Sequence, residues 1–273
     1  MMHSGLAGRL FGAVVVAICA YLILPTLVVV PVSFTETSFI VFPPKGFSLR
    51  WYAEFLSDPA WRNATLTSIL VATVSAICAT SVGTLAAFGL NRLSGVLARA
   101  AIWLLLLPML VPSIILAVGF YGVLARFGIV GTKFGLIVTH TVLAIPFVVI
   151  TVSATIQKLD WRIVDAARSL GAGPVTAFWK ITVPAILPGI LAGATFAFLT
   201  SFDEIVVAFF VSGVNSVTLP VQMWNGIRFE ISPAVAAASS ILLALSLVVV
   251  FFVSVMRRRE ETNARRPAEI GHL

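Results

Sequence analysis

The segment "VDAARSLGAGPVTAFWKITVPAILPG", residues 164–189, decides the class of fold, because it interrupts an otherwise apolar sequence. It contains Asp165, Arg168 and Lys180 together with several glycines and prolines, and long apolar stretches lie on both sides of it. Charged side chains are costly in hydrocarbon, so a charged segment between apolar ones is expected at a membrane surface. The segment therefore predicts a membrane protein with a structured loop.

The composition supports this prediction and excludes other classes. Of 273 residues, 59% are hydrophobic and 11% are charged, whereas soluble domains carry about 25% charged residues. Cys19 and Cys78 lie inside apolar runs, which favours neither a disulfide framework nor a metal site. The net charge of +7 does not indicate nucleic-acid binding, because many arginines cluster in the tail after residue 256, where membrane orientation rules place them.

Six apolar stretches are each long enough to cross about 30 Å of hydrocarbon. They cover residues 10–32, 64–90, 101–125, 136–156, 186–211 and 233–256. All six are expected to be helices, because an isolated strand leaves backbone groups unpaired in lipid. The prediction is an all-α membrane protein with six transmembrane helices, the first of them uncleaved, in a single transmembrane domain over residues 1–273.

The positive charges predict the orientation of these helices. Six spans put both termini on one side, and that side carries twelve of the 18 Lys and Arg residues. Cytoplasmic loops carry the excess of Lys and Arg. Both termini, the basic tail 257–273 and the loop between helices four and five, residues 157–185, are therefore predicted to be cytoplasmic.

That loop has its own helical pattern. Its apolar positions, at i, i+4 and i+7, are Ile163, Ala167 and Leu170. Gly171 or Gly173 can end this helix, Pro174 suits the first turn of a second one, and Pro184 is expected to close it. Two short amphipathic helices around a glycine turn are the prediction, and periodicity alone also allows a helix pair that lies passively in the headgroups.

The residue identities in this loop resemble the EAA motif of the membrane-spanning subunits of bacterial ABC importers. That motif runs Glu-Ala-Ala, three residues, Gly, about nine residues, then Ile-x-Leu-Pro. The matching positions here are Asp165, Ala166, Ala167, Gly171, Ile181, Val183 and Pro184. Asp replaces Glu and Val replaces Leu, which keeps the charge and the apolarity. The resemblance extends over roughly residues 51–256.

The resemblance implies a permease subunit of the bacterial inner (plasma) membrane, with an importer core at about residues 64–256. In the family this loop is the coupling helix, which docks in a groove of the ATP-hydrolysing subunit. The residues implied in that contact, or in its shape, are Asp165, Ala166, Ala167, Leu170, Gly171 and Pro184. Implied partners are two ABC ATPase subunits, a second permease subunit in a heterodimer, and a periplasmic or extracellular solute-binding protein.

No enzymatic activity is predicted for the chain itself. A nucleotide-binding P-loop needs G-x-x-x-x-G-K-[ST], and the dipeptide Gly-Lys does not occur in the sequence. An intramembrane enzyme has no support either, since no catalytic constellation of His, Ser or Cys is present. No cofactor or metal is predicted, and the energy for transport is expected from a partner ATPase.

A second informative stretch, "TSFDEIVVAFFVSG" at residues 200–213, places Asp203 and Glu204 inside the predicted fifth span. Asp203 comes fifteen residues after Pro188, or about 22 Å along a helix at 1.5 Å per residue. Buried carboxylates at such depth usually face a cavity or a partner. Neighbouring helical positions point apart, so at most one of the two is expected to line a pathway. The alternative is a structural ion pair or hydrogen bond.

This stretch also resembles the Ser-Phe-Asp-Asp/Glu segment of spermidine/putrescine importer permeases, as do residues 47–68 and 218–240. The resemblance implies a cationic polyamine substrate. The pathway residues that it implies are Phe202, Asp203, Glu204 and Trp224. An opine or an amino-acid-like cation is an alternative substrate for such a permease.

Three further features complete the predictions. An ion-gradient-driven secondary transporter is the alternative transport class, and it would show broken helices and ion sites near the bilayer midplane.

His140, in the fourth span, is either a proton relay or a hydrogen-bonded structural group; no second His lies near it in the sequence. Gly189 and Gly193 form a G-x-x-x-G pattern, which predicts close helix packing.

Overall fold

Within a computed structural model, the structure describes residues 6–230, 232–244 and 247, and all regular secondary structure in these ranges is helical. The predicted all-α class is therefore confirmed for this part of the chain. In chain order the α-helices are α1 (Leu6–Val32), α2 (Arg50–Ser57), α3 (Pro59–Arg92), α4 (Gly95–Leu110), α5 (Ser113–Arg126), α6 (Lys133–Ile156), α7 (Trp161–Ser169), α8 (Pro174–Ala177), α9 (Val183–Phe202), α10 (Val206–Val211), α11 (Leu219–Asn225) and α12 (Ala234–Ala244).

Four helical segments of the described chain are long and apolar enough to cross a membrane. They are Gly8–Val32, Pro59–Arg92, Lys133–Ile156 and Pro174–Phe202. Helices α4 and α5 form a fifth if this bent pair counts as one span. The predicted sixth span, 233–256, contains the shorter apolar helix α12, and its residues 245–246 and 248–256 lie outside the described residues. Six spans and the orientation of the termini therefore stay predictions.

The predicted third span, 101–125, is not one straight helix. Helices α4 and α5 meet at an angle of 102°. Val111, between them, has the extended conformation with φ −83° and ψ 132°, and Pro112 follows it. A residue before proline is disfavoured in the α-helical region because the proline ring clashes with its backbone. This X-Pro step explains the bend.

The described chain divides into two compact units, one formed by residues 59–222 and the other by the described residues within 1–58 and 223–273. In the first unit, α3, α6 and α9 pack together around a core of small and β-branched side chains. The buried members of this core are Ala76, Ala79, Ala87, Ala144, Val148, Val152, Ile156, Ile186 and Ala197. Small side chains let helix backbones approach closely, which is how helices associate within lipid.

Close packing at Gly189 and Gly193 is confirmed, and it joins α9 to α6. A Cβ atom added at Gly193 would lie 2.7 Å from Oγ1 of Thr151 and 3.1 Å from Cα of Val148. A Cβ atom at Gly189 would collide with the side chain of Thr155. Both glycines are buried, so no other residue fits without separating the two helices.

We expect Gly193→Ala to lower the free energy of unfolding by about 1–3 kcal/mol, the usual cost of overpacking a core. Gly119→Ala in α5 is the matched control, because a Cβ atom there meets nothing within 4 Å. The control is expected to be neutral or stabilising by up to about 1 kcal/mol, since alanine favours helices over glycine. Thermal unfolding of both purified variants in detergent checks this, and equal midpoints would contradict it.

The other unit contains a folded segment between α1 and α2. The indole Nε1 of Trp51 donates a hydrogen bond of 2.9 Å to the carbonyl of Thr35. The hydroxyl groups of Ser33 and Tyr52 lie 2.6 Å apart, and the ring of Phe34 packs 5.1 Å from that of Tyr52. These contacts fix α2 against the end of α1.

Candidate functional site

Helix α7 confirms the predicted first helix of the 157–185 loop. The side chain of Asp160 caps it by accepting a 3.0 Å hydrogen bond from the backbone N–H of Arg162. Val164 is its one buried residue. Two residues of the predicted apolar stripe face outward: the side chain of Ile163 is 57% exposed and that of Leu170 is 89% exposed. Val164 is therefore the main anchor of the helix, and Ile163 and Leu170 leave most of their apolar surface exposed.

Gly171 forms the turn after α7, and the sequence had left Gly171 and Gly173 as alternatives. The N–H of Gly171 bonds to the carbonyl of Arg168, and the N–H of Ala172 bonds to the carbonyl of Ala167, both at 3.0 Å. This pair of bonds is the Schellman motif, which needs a left-handed residue. Gly171 supplies it with φ +93°. A Cβ atom there would meet nothing within 4 Å, so the requirement is conformational.

Asp165 and Ala166 are exposed, and Ala167 is partly buried. No salt bridge joins Asp165 to Arg168, although both residues are described and lie one helical turn apart. The hydroxyl of Ser169 bonds to the Asp165 carbonyl and not to its carboxylate. The carboxylate is therefore free to accept charge-assisted hydrogen bonds from a partner.

The prediction that Pro184 closes a second loop helix is wrong. Helix α8 does begin at Pro174, but it continues through a π-helical turn, Phe178–Thr182, into α9. Pro184 lies in the first turn of α9. Proline has no N–H and clashes with the carbonyl four residues earlier, and a π-turn, in which the N–H of Val183 bonds to the Phe178 carbonyl, accommodates it.

The π-helical turn also ties the loop to the helix bundle. The ring of Phe178 packs edge-on against that of Phe88 in α3, with centroids 5.2 Å apart. Ala177 and Thr182, on either side, are buried. The end of the loop is therefore packed against α3.

The second candidate site is a break in the predicted fifth span. The prediction of one helix over residues 186–211 is wrong, because α9 ends at Phe202 and α10 begins at Val206. The carboxylate oxygens of Glu204 accept hydrogen bonds from the backbone N–H groups of Val206, at 3.1 Å, and Ala208, at 3.0 Å. An acidic side chain that binds the free N–H groups at a helix start favours a new helix there.

The two neighbouring carboxylates therefore have different environments. Glu204 is partly buried and bonded to α10, whereas Asp203 is exposed. The backbone N–H of Asp203 bonds to the Leu199 carbonyl at 3.0 Å, and no described residue forms a hydrogen bond or salt bridge with its carboxylate. The sequence left open which carboxylate is free, and this geometry favours Asp203.

The aromatic candidates lie in different units. Phe202 precedes Asp203 directly, and its ring stacks on that of Phe198 with centroids 5.7 Å apart. Trp224 lies in α11 within the other compact unit and is 45% exposed. Residues 202–204 therefore lie together in one turn, whereas Trp224 belongs to the other unit.

His140 is a residue of this site that the sequence did not connect with it. Its side chain is buried in α6, and its Nδ1 lies 2.8 Å from the hydroxyl and 3.1 Å from the carbonyl oxygen of Ser201. The structure thus shows the hydrogen-bonded alternative for this histidine. The two residues are 61 positions apart, so no local pattern could have paired them.

We expect Glu204→Gln to lower the free energy of unfolding by about 1–3 kcal/mol, because one of two bonded oxygens becomes an amide that cannot accept. Asp203→Asn is the matched control, since its carboxylate bonds to no described residue. Detergent thermal unfolding of both variants checks this. Equal destabilisation by the two changes would contradict the assignment of the capping role to Glu204.

Apolar helices long enough to cross a membrane, an exposed loop and an interrupted helix are the features that the comparisons with known proteins have to explain. Residues 79–262 match the family described as binding-protein-dependent transport system inner membrane component. The chain belongs to this family of ABC importer permeases. The break at residues 203–205 resembles what an ion-gradient transporter would show, but the family match identifies the transport class.

Two relatives are about one third identical to this chain. The spermidine/putrescine transport system permease protein PotC of Haemophilus influenzae is 33% identical over 221 residues, which cover 80% of this chain and 84% of that protein. The putrescine transport system permease protein PotI of Escherichia coli is 32% identical over 224 residues, covering 80% and 79%.

Solved structures share the fold at lower identity. A chain of a bacterial ABC transporter that imports the acidic polysaccharide alginate superposes with a TM-score of 0.71 at 14% identity, covering 94% of this chain and 99% of that one. A chain of the MetNI methionine ABC transporter gives 0.60 at 20% identity, covering 75% and 98%. These likenesses confirm the fold of an importer permease.

Proposed function

We propose that this chain is a permease subunit of an ATP-driven importer for spermidine or putrescine, and that it forms part of the translocation path. It pairs with a second permease subunit in a heterodimer, and the substrate crosses between the two. A periplasmic or extracellular solute-binding protein delivers the substrate, and two ATPase subunits supply the energy. Both termini and the 157–185 loop face the cytoplasm, as the Lys and Arg distribution favours.

The exposed carboxylate of Asp203 is the single observation that carries the substrate proposal. It projects from a turn between two apolar helices, and no described side chain neutralises it. A negative charge at this depth is costly unless a cation or water meets it. A polyamine carries several ammonium groups, each able to donate charge-assisted hydrogen bonds to a carboxylate. The substrates named for the relatives have this same chemistry.

The two aromatic candidates fit the same substrate. Phe202 precedes Asp203, and Trp224 is exposed on α11. A cation is attracted to the face of an aromatic ring, most strongly to that of tryptophan. We assign Phe202, Asp203, Glu204 and Trp224 to the path, with Asp203 as the cation ligand and Glu204 as the residue that holds the turn.

The loop centred on α7 is the proposed contact with the ATPase subunits. Its exposed apolar stripe offers surface for a groove, Asp165 offers a free carboxylate, and Gly171 gives the sharp turn. Ala166 and Ala167 keep the flank narrow. Leu170, which directly follows the helix, adds an apolar side chain that is almost fully exposed. Pro184 favours the π-helical turn that joins the loop to α9. ATP hydrolysis belongs to the partner, and the loop passes its movement to the bundle through Phe178.

Uptake by intact cells tests the substrate. In a strain that lacks this chain, restoring it should restore accumulation of radiolabelled spermidine or putrescine. Unlabelled polyamine should compete for uptake, and an opine or arginine should not. Competition by the opine or arginine alone would assign the permease to an amino-acid-like cation and overturn the polyamine proposal.

A further inference from the structure

His140, in α6, contacts the end of α9 directly before the proposed cation ligand. Its ring is 1% exposed and lies in α6, among residues of the membrane-crossing bundle. Nδ1 contacts Ser201, the second-last residue of α9, through both the side-chain hydroxyl and the backbone carbonyl. Asp203 follows two residues later, so the contact lies directly before the proposed cation ligand.

The Ser201 carbonyl needs a partner because α9 stops at Phe202. The last four carbonyl groups of a helix have no partner within the helix. The N–H of Asp203 serves the first of these four, at Leu199, and Nδ1 of His140 serves Ser201 at 3.1 Å. A carbonyl oxygen only accepts, so Nδ1 caps it in the tautomer that carries the ring hydrogen on Nδ1. In that tautomer the Ser201 hydroxyl, 2.8 Å away, accepts from the same N–H.

The break is thus held from both sides. His140 binds the end of α9, and the carboxylate of Glu204 binds the start of α10. Asp203 lies between these two anchors, and its own side chain has no described partner. The direction in which the Asp203 carboxylate points is therefore set by groups other than itself.

We propose that His140 is a positioning residue for Asp203: its Nδ1–H caps the Ser201 carbonyl and fixes the end of α9, and so orients the carboxylate that binds the substrate. This inference rests on the proposed function of Asp203. Without the donor, the buried Ser201 carbonyl loses its partner, and α9 relieves this by adding residues to its last turn. Asp203 would then rotate away from its present direction.

Three substitutions at His140 separate positioning from packing. Asn keeps an N–H donor near the position of Nδ1, Gln moves its amide to the position of Nε2, and Leu keeps volume without a donor. With the assembled importer in proteoliposomes, Leu and Gln should raise the apparent KM for spermidine about tenfold, because a rotated Asp203 carboxylate loses a charge-assisted hydrogen bond to the substrate. Asn should stay within about threefold of wild type, with Vmax per assembled complex similar in all three.

A thiol-labelling measurement tests the geometry without any substrate. Asp203→Cys is introduced after Cys19 and Cys78 are changed to Ser, and a cationic methanethiosulfonate reagent is added. The labelling rate should change at least about fivefold when Leu or Gln replaces His140, and should be nearly unchanged with Asn. Ser201→Ala, which keeps the carbonyl, should also leave the rate nearly unchanged.

The outcomes distinguish this inference from the proposed function. Equal KM and labelling values for Asn, Gln and Leu would overturn the positioning role, as would a loss of assembled protein in all three with unchanged KM in what remains. If the wild-type importer does not take up polyamines, the proposed function fails. The labelling rates then still decide whether His140 orients residue 203.

Discussion

Replacing Asp203 by Asn is expected to lower the specificity constant for spermidine uptake about ten- to a hundredfold, the loss expected for one hydrogen bond to a charged group. The carboxylate is exposed between α9 and α10 and bonds to no described residue. Asn has nearly the same size, so the change removes charge with little change in shape. Initial uptake rates, divided by the amount of importer in the membrane, measure the effect.

Two controls accompany this measurement. Asp203→Glu keeps the charge and should retain more uptake than Asp203→Asn, although the longer side chain shifts the carboxylate. The membrane abundance of Asp203→Asn should remain close to that of wild type, because the lost charge has no described partner. Equal falls in uptake and abundance would show instead that Asp203 has a structural role, and the assignment of the path would be wrong.

Gly171→Val is expected to lower ATP-driven uptake more than tenfold while the chain still inserts. Valine at φ +93° is strongly disfavoured, and even alanine in the left-handed region costs about 1–2 kcal/mol. A Cβ atom at this position meets nothing in the chain itself. The strain is therefore relieved by unwinding the end of α7, where Leu170 is most exposed.

Gly128→Val is the matched control for this substitution. Gly128 also has a positive φ, +65°, and a Cβ atom there also meets nothing within 4 Å. It follows α5 and lies outside the 157–185 loop, so it should cost similar backbone energy but leave the ATPase attached. Co-purification of the ATPase and substrate-stimulated ATP hydrolysis report the difference. Unchanged co-purification and uptake with Gly171→Val would contradict the coupling role.

Local patterns predicted the parts of the fold that depend on neighbours in sequence. Helix α7, its apolar stripe and the start of α8 at Pro174 follow from i, i+4 spacing and from proline's preference for a first helical turn. The glycine turn followed in the same way, although spacing alone did not choose between Gly171 and Gly173. Hydrogen bonds of the turn made that choice.

Hydropathy did not predict the helix interruptions. A window average treats residues 101–125 and 186–211 as continuous, because one proline or one carboxylate hardly changes its mean. The two interruptions arise from individual atoms: the ring of Pro112 and the Glu204 oxygens that bind α10. The contact between His140 and Ser201 depends on how α6 packs against α9, which no local window contains.

ATP-dependent spermidine uptake by the complete importer in proteoliposomes tests the central claim most directly. The assembly contains this chain, its partner permease, two ATPase subunits and the solute-binding protein. Uptake is predicted only with ATP on the side of the 157–185 loop, and Gly171→Val should abolish most of it. Uptake that continues without ATP under an imposed ion gradient, or uptake of another solute with none of spermidine, would contradict the account.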